Sequence, residues 1–148
     1  MRTRIIGAAL AVSALALTAV AVSGTAAEAK GRPCGPPSTT DGVGSAGTAF
    51  TLKSMYDDDG PGLVAGEEFE INTEAAGQHW TVTFSDNGVV FFANPDDVST
   101  ATGIREVHPN HITRGTVQHM NAHAVRHDTG EVIDATVVLQ PVPDRCGN

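Results

Sequence analysis

His119, His123 and His127 stand four residues apart in the segment HMNAHAVRH, with His108 and His111 just upstream. On a helix that spacing stacks imidazoles about 6 Å apart along one face, where they could chelate a transition metal. On a strand, at about 3.3 Å per residue, the same neighbours lie about 13 Å apart and cannot share one ion. A metal site on a strand therefore needs one of the three to meet His108 or His111 from an adjacent loop. Zinc or copper is the ion imidazoles would take, and no other cofactor is expected.

Asp57-Asp58-Asp59-Gly60 invites a calcium reading, because hard cations take several carboxylate oxygens from a tight loop. The spacing fails the EF-hand test. With Gly60 at the sixth position, the first and twelfth positions would be Met55 and Gly66, which offer no side-chain oxygen. A calcium site would have to recruit Asp96 and Asp97 from another loop. For catalysis, GxSxG, HExxH and the phosphate-binding loop are all absent, and the His127-Asp128 pair has no nucleophile fixed beside it by sequence. The chain is expected to bind and not to turn over a substrate.

Where these residues act follows from the N-terminus. Arg2 and Arg4 precede an apolar run from Ile5 to Val22 that ends in Ser23-Gly24-Thr25 and a small-x-small pattern at Ala27-Glu28-Ala29. Residues 1–29 therefore read as a secretory signal peptide, with no twin-arginine pair and no lipid-attachment box before Cys34. Its removal leaves seven of the nine basic residues and makes a formal charge of −8 one unit more negative. An acidic chain without a Lys/Arg cluster is a poor partner for nucleic acid or an anionic membrane. A secreted, extracellular monomer is expected, free of the membrane after cleavage. Its partner would be an extracellular protein or a surface polymer.

Cys34 and Cys146 are the two cysteines, and an exported chain meets an oxidising environment. They are expected to pair, closing a loop of roughly 110 residues worth about 4–5 kcal/mol at most. Their separation suits neither a zinc finger nor a thioredoxin-type motif.

Residues 30–46 are rich in Gly, Pro, Ser and Thr and read as an extended leader. From Gly47 to Val142 short alternating runs are separated by turn residues, the spacing of an all-β sandwich or barrel; residues 143–148 form a tail carrying Cys146. Phe50 and Leu52 alternate with Thr51 and Lys53 in a first strand, and Phe69 and Ile71 with Glu68 and Glu70 in a second. In the third, His79 to Ser85, Trp80, Val82 and Phe84 share one face. Asn87-Gly88 then suits a hairpin turn into residues 89–93. Asn94-Pro95-Asp96-Asp97 reads as a turn, Ile104–Val107 as an edge strand ending at Pro109, and Thr116–Arg126 with Glu131–Gln140 as a final hairpin.

About seven strands with a lone Trp80 on the third, Gly66 before the second and Gly115-Thr116-Val117 opening the penultimate one resemble an antiparallel, immunoglobulin-like β-sandwich. The chain is similar to small secreted immunoglobulin-like proteins of bacteria. With both cysteines outside the sheets and no tyrosine in the penultimate strand, the resemblance is to the fibronectin-like branch. It implies a binding module. Val89-Val90-Phe91-Phe92 sends apolar residues to both faces of a strand, so Val90, Phe91 and Phe92, with Arg105 and Arg114, form a candidate recognition surface. A third reading, a secreted protease inhibitor, would need a rigid exposed loop, for which Pro109-Asn110 is the candidate.

Overall fold

The computed structural model describes residues 34–57, 62–144 and 146. Residues 1–29, read as a signal peptide, the start of the segment read as a leader, and Asp58-Asp59-Gly60-Pro61 lie outside them. Within them the chain is all-β: β1 (Ser38–Val43), β2 (Ala49–Asp57), β3 (Val64–Asn72), β4 (His79–Asp86), β5 (Val89–Val98), β6 (Ile104–His111), β7 (Gln118–Arg126) and β8 (Val132–Leu139). All pairings are antiparallel, in two sheets ordered β1-β2-β3-β6 and β5-β4-β7-β8. Lettering β2 to β8 as A, B, C, C′, E, F and G gives sheets A-B-E and C′-C-F-G, the Greek-key arrangement of an immunoglobulin-like sandwich.

Alternation supplies the interior. Leu52, Phe69 and Ile71 from one sheet meet Trp80, Val82, Phe84, Met120, Ala122 and Ala124 from the other, all fully or almost fully buried. The Phe69 and Phe84 rings meet edge to face at 6.2 Å. Because Met120, Ala122 and Ala124 take the inward parity of β7, His119 and His123 point outward, and His127 follows the end of that strand. The four-residue spacing thus spreads the histidines along a strand instead of gathering them.

Three features depart from the sequence reading, each for an identifiable reason. The first is β1, which lies within the segment read as an extended leader and brings the strands to eight. STTDGV has no apolar alternation. Its place is set by backbone pairing from Ser38↔Ser54 to Val43↔Ala49 and by the Thr51 hydroxyl donating to Asp41 at 2.6 Å. The turn after it is fastened by Glu131, whose carboxylate accepts from Ala46 N (3.2 Å), Thr48 N (2.9 Å) and Thr48 Oγ1 (2.7 Å).

The second departure is that prolines end neither β5 nor β6. Both are edge strands, each with one neighbour, so Pro95 and Pro109 can sit in them without costing a ladder hydrogen bond on the open side. The third is two bulges in β5. Trp80 pairs with Asp97 and Val82 with Asn94, so β5 spends one residue more than β4 over that interval, and it does so again between Phe84↔Phe92 and Ser85↔Val90. The second bulge lets Phe91 and Phe92 both pack on Phe84, at ring separations of 6.0 and 5.2 Å.

Cys34 and Cys146 are both buried and adjacent, with Cys146 Sγ donating to the Cys34 carbonyl oxygen at 3.4 Å. The sulfurs are not bonded to each other.

Candidate metal centre

The antiparallel register of β4 on β7 places Trp80 opposite Arg126, so the residues flanking that pair, His79 and His127, become neighbours at one end of the sandwich. The His127 amide donates to the His79 carbonyl at 2.9 Å, fixing the β7–β8 turn to the start of β4. Asp96 comes from the first β5 bulge, which shifts its side chain relative to the regular pleat. One donor atom from each of His79, Asp96 and His127 lies within 4.8 Å of the other two. His79 Nδ1 is 2.7 Å from Asp96 Oδ1, and His127 Nδ1 is 3.7 Å from the same oxygen. The two imidazole rings stack at 6.2 Å, 24° from parallel.

Thr81 determines which His127 nitrogen is available. Its hydroxyl has one proton, donated to the Pro95 carbonyl oxygen at 3.1 Å. With that proton on Pro95, the hydroxyl oxygen 3.0 Å from His127 Nε2 can accept from it, a pairing that puts the neutral ring's proton on Nε2 and its lone pair on Nδ1. That lone pair and the Asp96 carboxylate then share a gap that only a cation or a proton can reconcile. Zinc-type bonds of about 2.0–2.1 Å in a tetrahedral arrangement separate donors by about 3.3 Å, between the 2.7 and 3.7 Å seen here. A neutral hydroxyl that orients a ligating imidazole through its other nitrogen is the arrangement expected around a bound metal.

The surroundings are acidic. Arg126 is taken up by Asp128 through two hydrogen bonds of 2.6 and 2.9 Å. Burial, and then the Glu106 carboxylate, raises the Asp97 carboxyl above its ordinary range. Glu106 itself is pushed up by burial but held low overall by Asn94 Nδ2 at 3.0 Å and His108 Nε2 at 2.8 Å. All three side chains are exposed.

Of the histidines read as candidates, only His127 belongs to this cluster. His123 pairs with Asp134 at 2.7 Å on the outer face of the sheet, and His119 is exposed near the other end of β7. His108 is stacked against Phe92 with ring centroids 3.5 Å apart, and His111 closes β6. His79 was not among the candidates, because a lone histidine opening the clearest strand carries no spacing signal; only the β4–β7 register reveals it. The candidate recognition residues are dispersed. Val90 is exposed, Phe91 and Phe92 are half-buried against Phe84, Arg105 is paired with Glu68 and Glu70, and Arg114 donates to the Cys146 carbonyl oxygen. Pro109 and Asn110 lie inside β6 and not in a loop.

The chain matches no family model, no curated protein and no solved structure. Function must be read from the site's own chemistry, since a fold does not supply one.

Proposed function

We propose that this chain is an exported, non-enzymatic immunoglobulin-like binding module whose ligand is a first-row transition metal ion, zinc or copper, held by His79, Asp96 and His127. The observation that carries the reading is the Thr81 contact, which turns the His127 Nδ1 lone pair towards the Asp96 carboxylate. To ligate through Nδ1, His79 moves its proton to Nε2; its hydrogen bond to Asp96 is thereby exchanged for two bonds to one ion. Softness of the donors favours zinc or copper over calcium, because two of three ligands are imidazoles. The signal-like residues 1–29 support export, and the buried proximity of Cys34 to Cys146 supports a disulfide formed after it.

Isothermal titration of the metal-free protein with zinc or copper tests this. One saturable site is expected, abolished in His79→Ala and His127→Ala and retained in His123→Ala. Binding that survives both substitutions, or that His123→Ala removes, would sink the assignment.

A further inference from the structure

The outer face of the β1-β2-β3-β6 sheet carries a second site. A recess of about 590 Å³ opens on the β6 side of β3 and one of about 210 Å³ on its β2 side, and Glu70 and Asn72 line both. These alternate residues share the exposed face of β3, about 7 Å apart at strand rise.

The register builds the surface around them. Asp41, Thr51, Glu70 and Arg105 stand in one row across the four strands, and Val43, Ala49 and Asn72 in the next. Beyond Asn72 comes Gly103, whose φ of 101° and whose approach to the Ile71 carbonyl oxygen leave no room for a Cβ. The backbone therefore keeps that side of the recess free of a side chain. Val43 is 66% exposed and Ala49 is exposed beside it, so the second row sets an apolar stretch against the Asn72 amide.

The hydrogen-bonding capacity of this face is open where solvent reaches it. The Asn72 side chain makes no hydrogen bond among the described residues, which leaves two N–H donors and a carbonyl oxygen. Glu70 meets Arg105 Nε only at 3.3 Å through Oε1, and its Oε2 is unengaged among the described residues. Arg105 is held instead by Glu68 Oε1, at 2.8 Å from Nε and 2.6 Å from Nη2. The Thr51 hydroxyl gives its proton to Asp41 at 2.6 Å and keeps its lone pairs. The Glu70 side chain is 52% exposed, so its carboxylate is offered outward.

We infer that this face binds a neutral oligosaccharide, one hydroxyl donating to the Glu70 carboxylate, a neighbouring one accepting from Asn72 Nδ2, and a C–H face lying on Ala49 and Val43. A sugar hydroxyl both donates and accepts, as this mixed set of groups requires. Asn72 and Val43 are two strand spacings apart, about 10 Å, which is more than one ring covers. An anion would meet Glu70 on a chain of formal charge −8, with Arg105 already held by Glu68. A cation would have the Arg105 guanidinium beside Glu70. An extended peptide cannot add to this face through its backbone, because β3 is paired on both sides. The inference is independent of the metal centre, which is built from the other sheet and shares no residue with this face.

The test is NMR titration of the isotope-labelled whole chain with four neutral probes, cellotriose, maltotriose, mannotriose and triacetylchitotriose, read at the amides of Thr51, Asn72 and Gly103. Saturable shifts at these positions are expected with at least one probe. Asn72→Ala is expected to weaken that binding at least tenfold, and Glu70→Gln several-fold. Both side chains are exposed, so the variants keep the fold, and an unchanged spectrum of the β4–β7 strands checks it. No saturable shift with any of the four probes would overturn the inference. So would tighter binding of trigalacturonate, an anionic trisaccharide, or unchanged affinity in Asn72→Ala.

Discussion

Thr81 holds His127 from the neighbouring strand, its hydroxyl oxygen 3.0 Å from Nε2 while its proton goes to the Pro95 carbonyl. A threonine outside the proposed donor set therefore bears on how one of its imidazoles faces. Thr81→Val keeps the β-branched shape that suits a strand and removes the hydroxyl, both its contact with His127 Nε2 and its donation to the Pro95 carbonyl. Zinc affinity is expected to fall by about tenfold to a hundredfold, the usual cost of losing an orienting partner. Asp96→Asn is expected to weaken binding further by removing the anionic ligand. Titration calorimetry of both variants checks this, with unchanged thermal unfolding of the metal-free proteins as the control for folding.

Little of this centre was legible beforehand. The register that joins His79 to His127 requires knowing that β4 pairs with β7, and Asp96 enters only through a bulge in a stretch whose Asn-Pro-Asp-Asp composition reads as a turn. Two-residue periodicity reported which face each core residue takes, as in Trp80, Val82 and Phe84, because burial imposes it directly. It was silent on β1, where neither parity is apolar and the pairing comes from backbone groups every sequence possesses.

Glu67 makes the fold sensitive to alkali. Burial first, and Asp86 second, push its carboxyl up from 4.5 to about 8, so the folded protein holds a proton there that the unfolded chain releases near its ordinary value. The contribution is fully present below about pH 4.5 and is lost as pH rises through about 8, at a slope of about 1.4 kcal/mol per pH unit. Glu67→Gln removes the titration while keeping the shape. Urea unfolding at pH 5, 7 and 9 is expected to show the variant overtaking the parent at pH 9; parallel profiles would contradict the assignment.

Glu131 works in the other direction. Burial raises its carboxyl, but the Thr48 amide and hydroxyl and the Ala46 amide outweigh burial and lower it overall. Its stabilisation is present above the unfolded value and disappears as pH falls through the lowered folded one. Glu131→Gln is expected to cost about 1–3 kcal/mol at pH 7 and to flatten the acid limb of the stability curve. Gly44→Ala attacks the same junction sterically, since a Cβ there would lie 2.7 Å from Glu131 Oε1 and 2.8 Å from Ile133 Cγ1. A loss of about 1–3 kcal/mol is expected by urea unfolding.

Cys34 and Cys146 are buried near each other outside the strands, with their sulfurs unbonded. Treatment with an oxidised thiol reagent is expected to remove two hydrogens from the intact mass and to raise the unfolding midpoint, by at most about 4–5 kcal/mol of stability. Cys34→Ser should abolish both effects. A mass increase corresponding to reagent adducts, with no internal bond, would show that the two sulfurs do not meet.

The placement of Pro95 and Pro109 has a consequence for how copies of this chain behave at high concentration. β5 and β6 are the sheet edges on one flank, and each carries a proline, with β5 bent further by its bulges. An incoming strand finds an interrupted row of amides and a twisted rim there. The other two edges, β1 and β8, lie against each other and close the opposite flank. The β5–β6 flank therefore offers no flat template for edge-to-edge growth, without a charged gatekeeper strand.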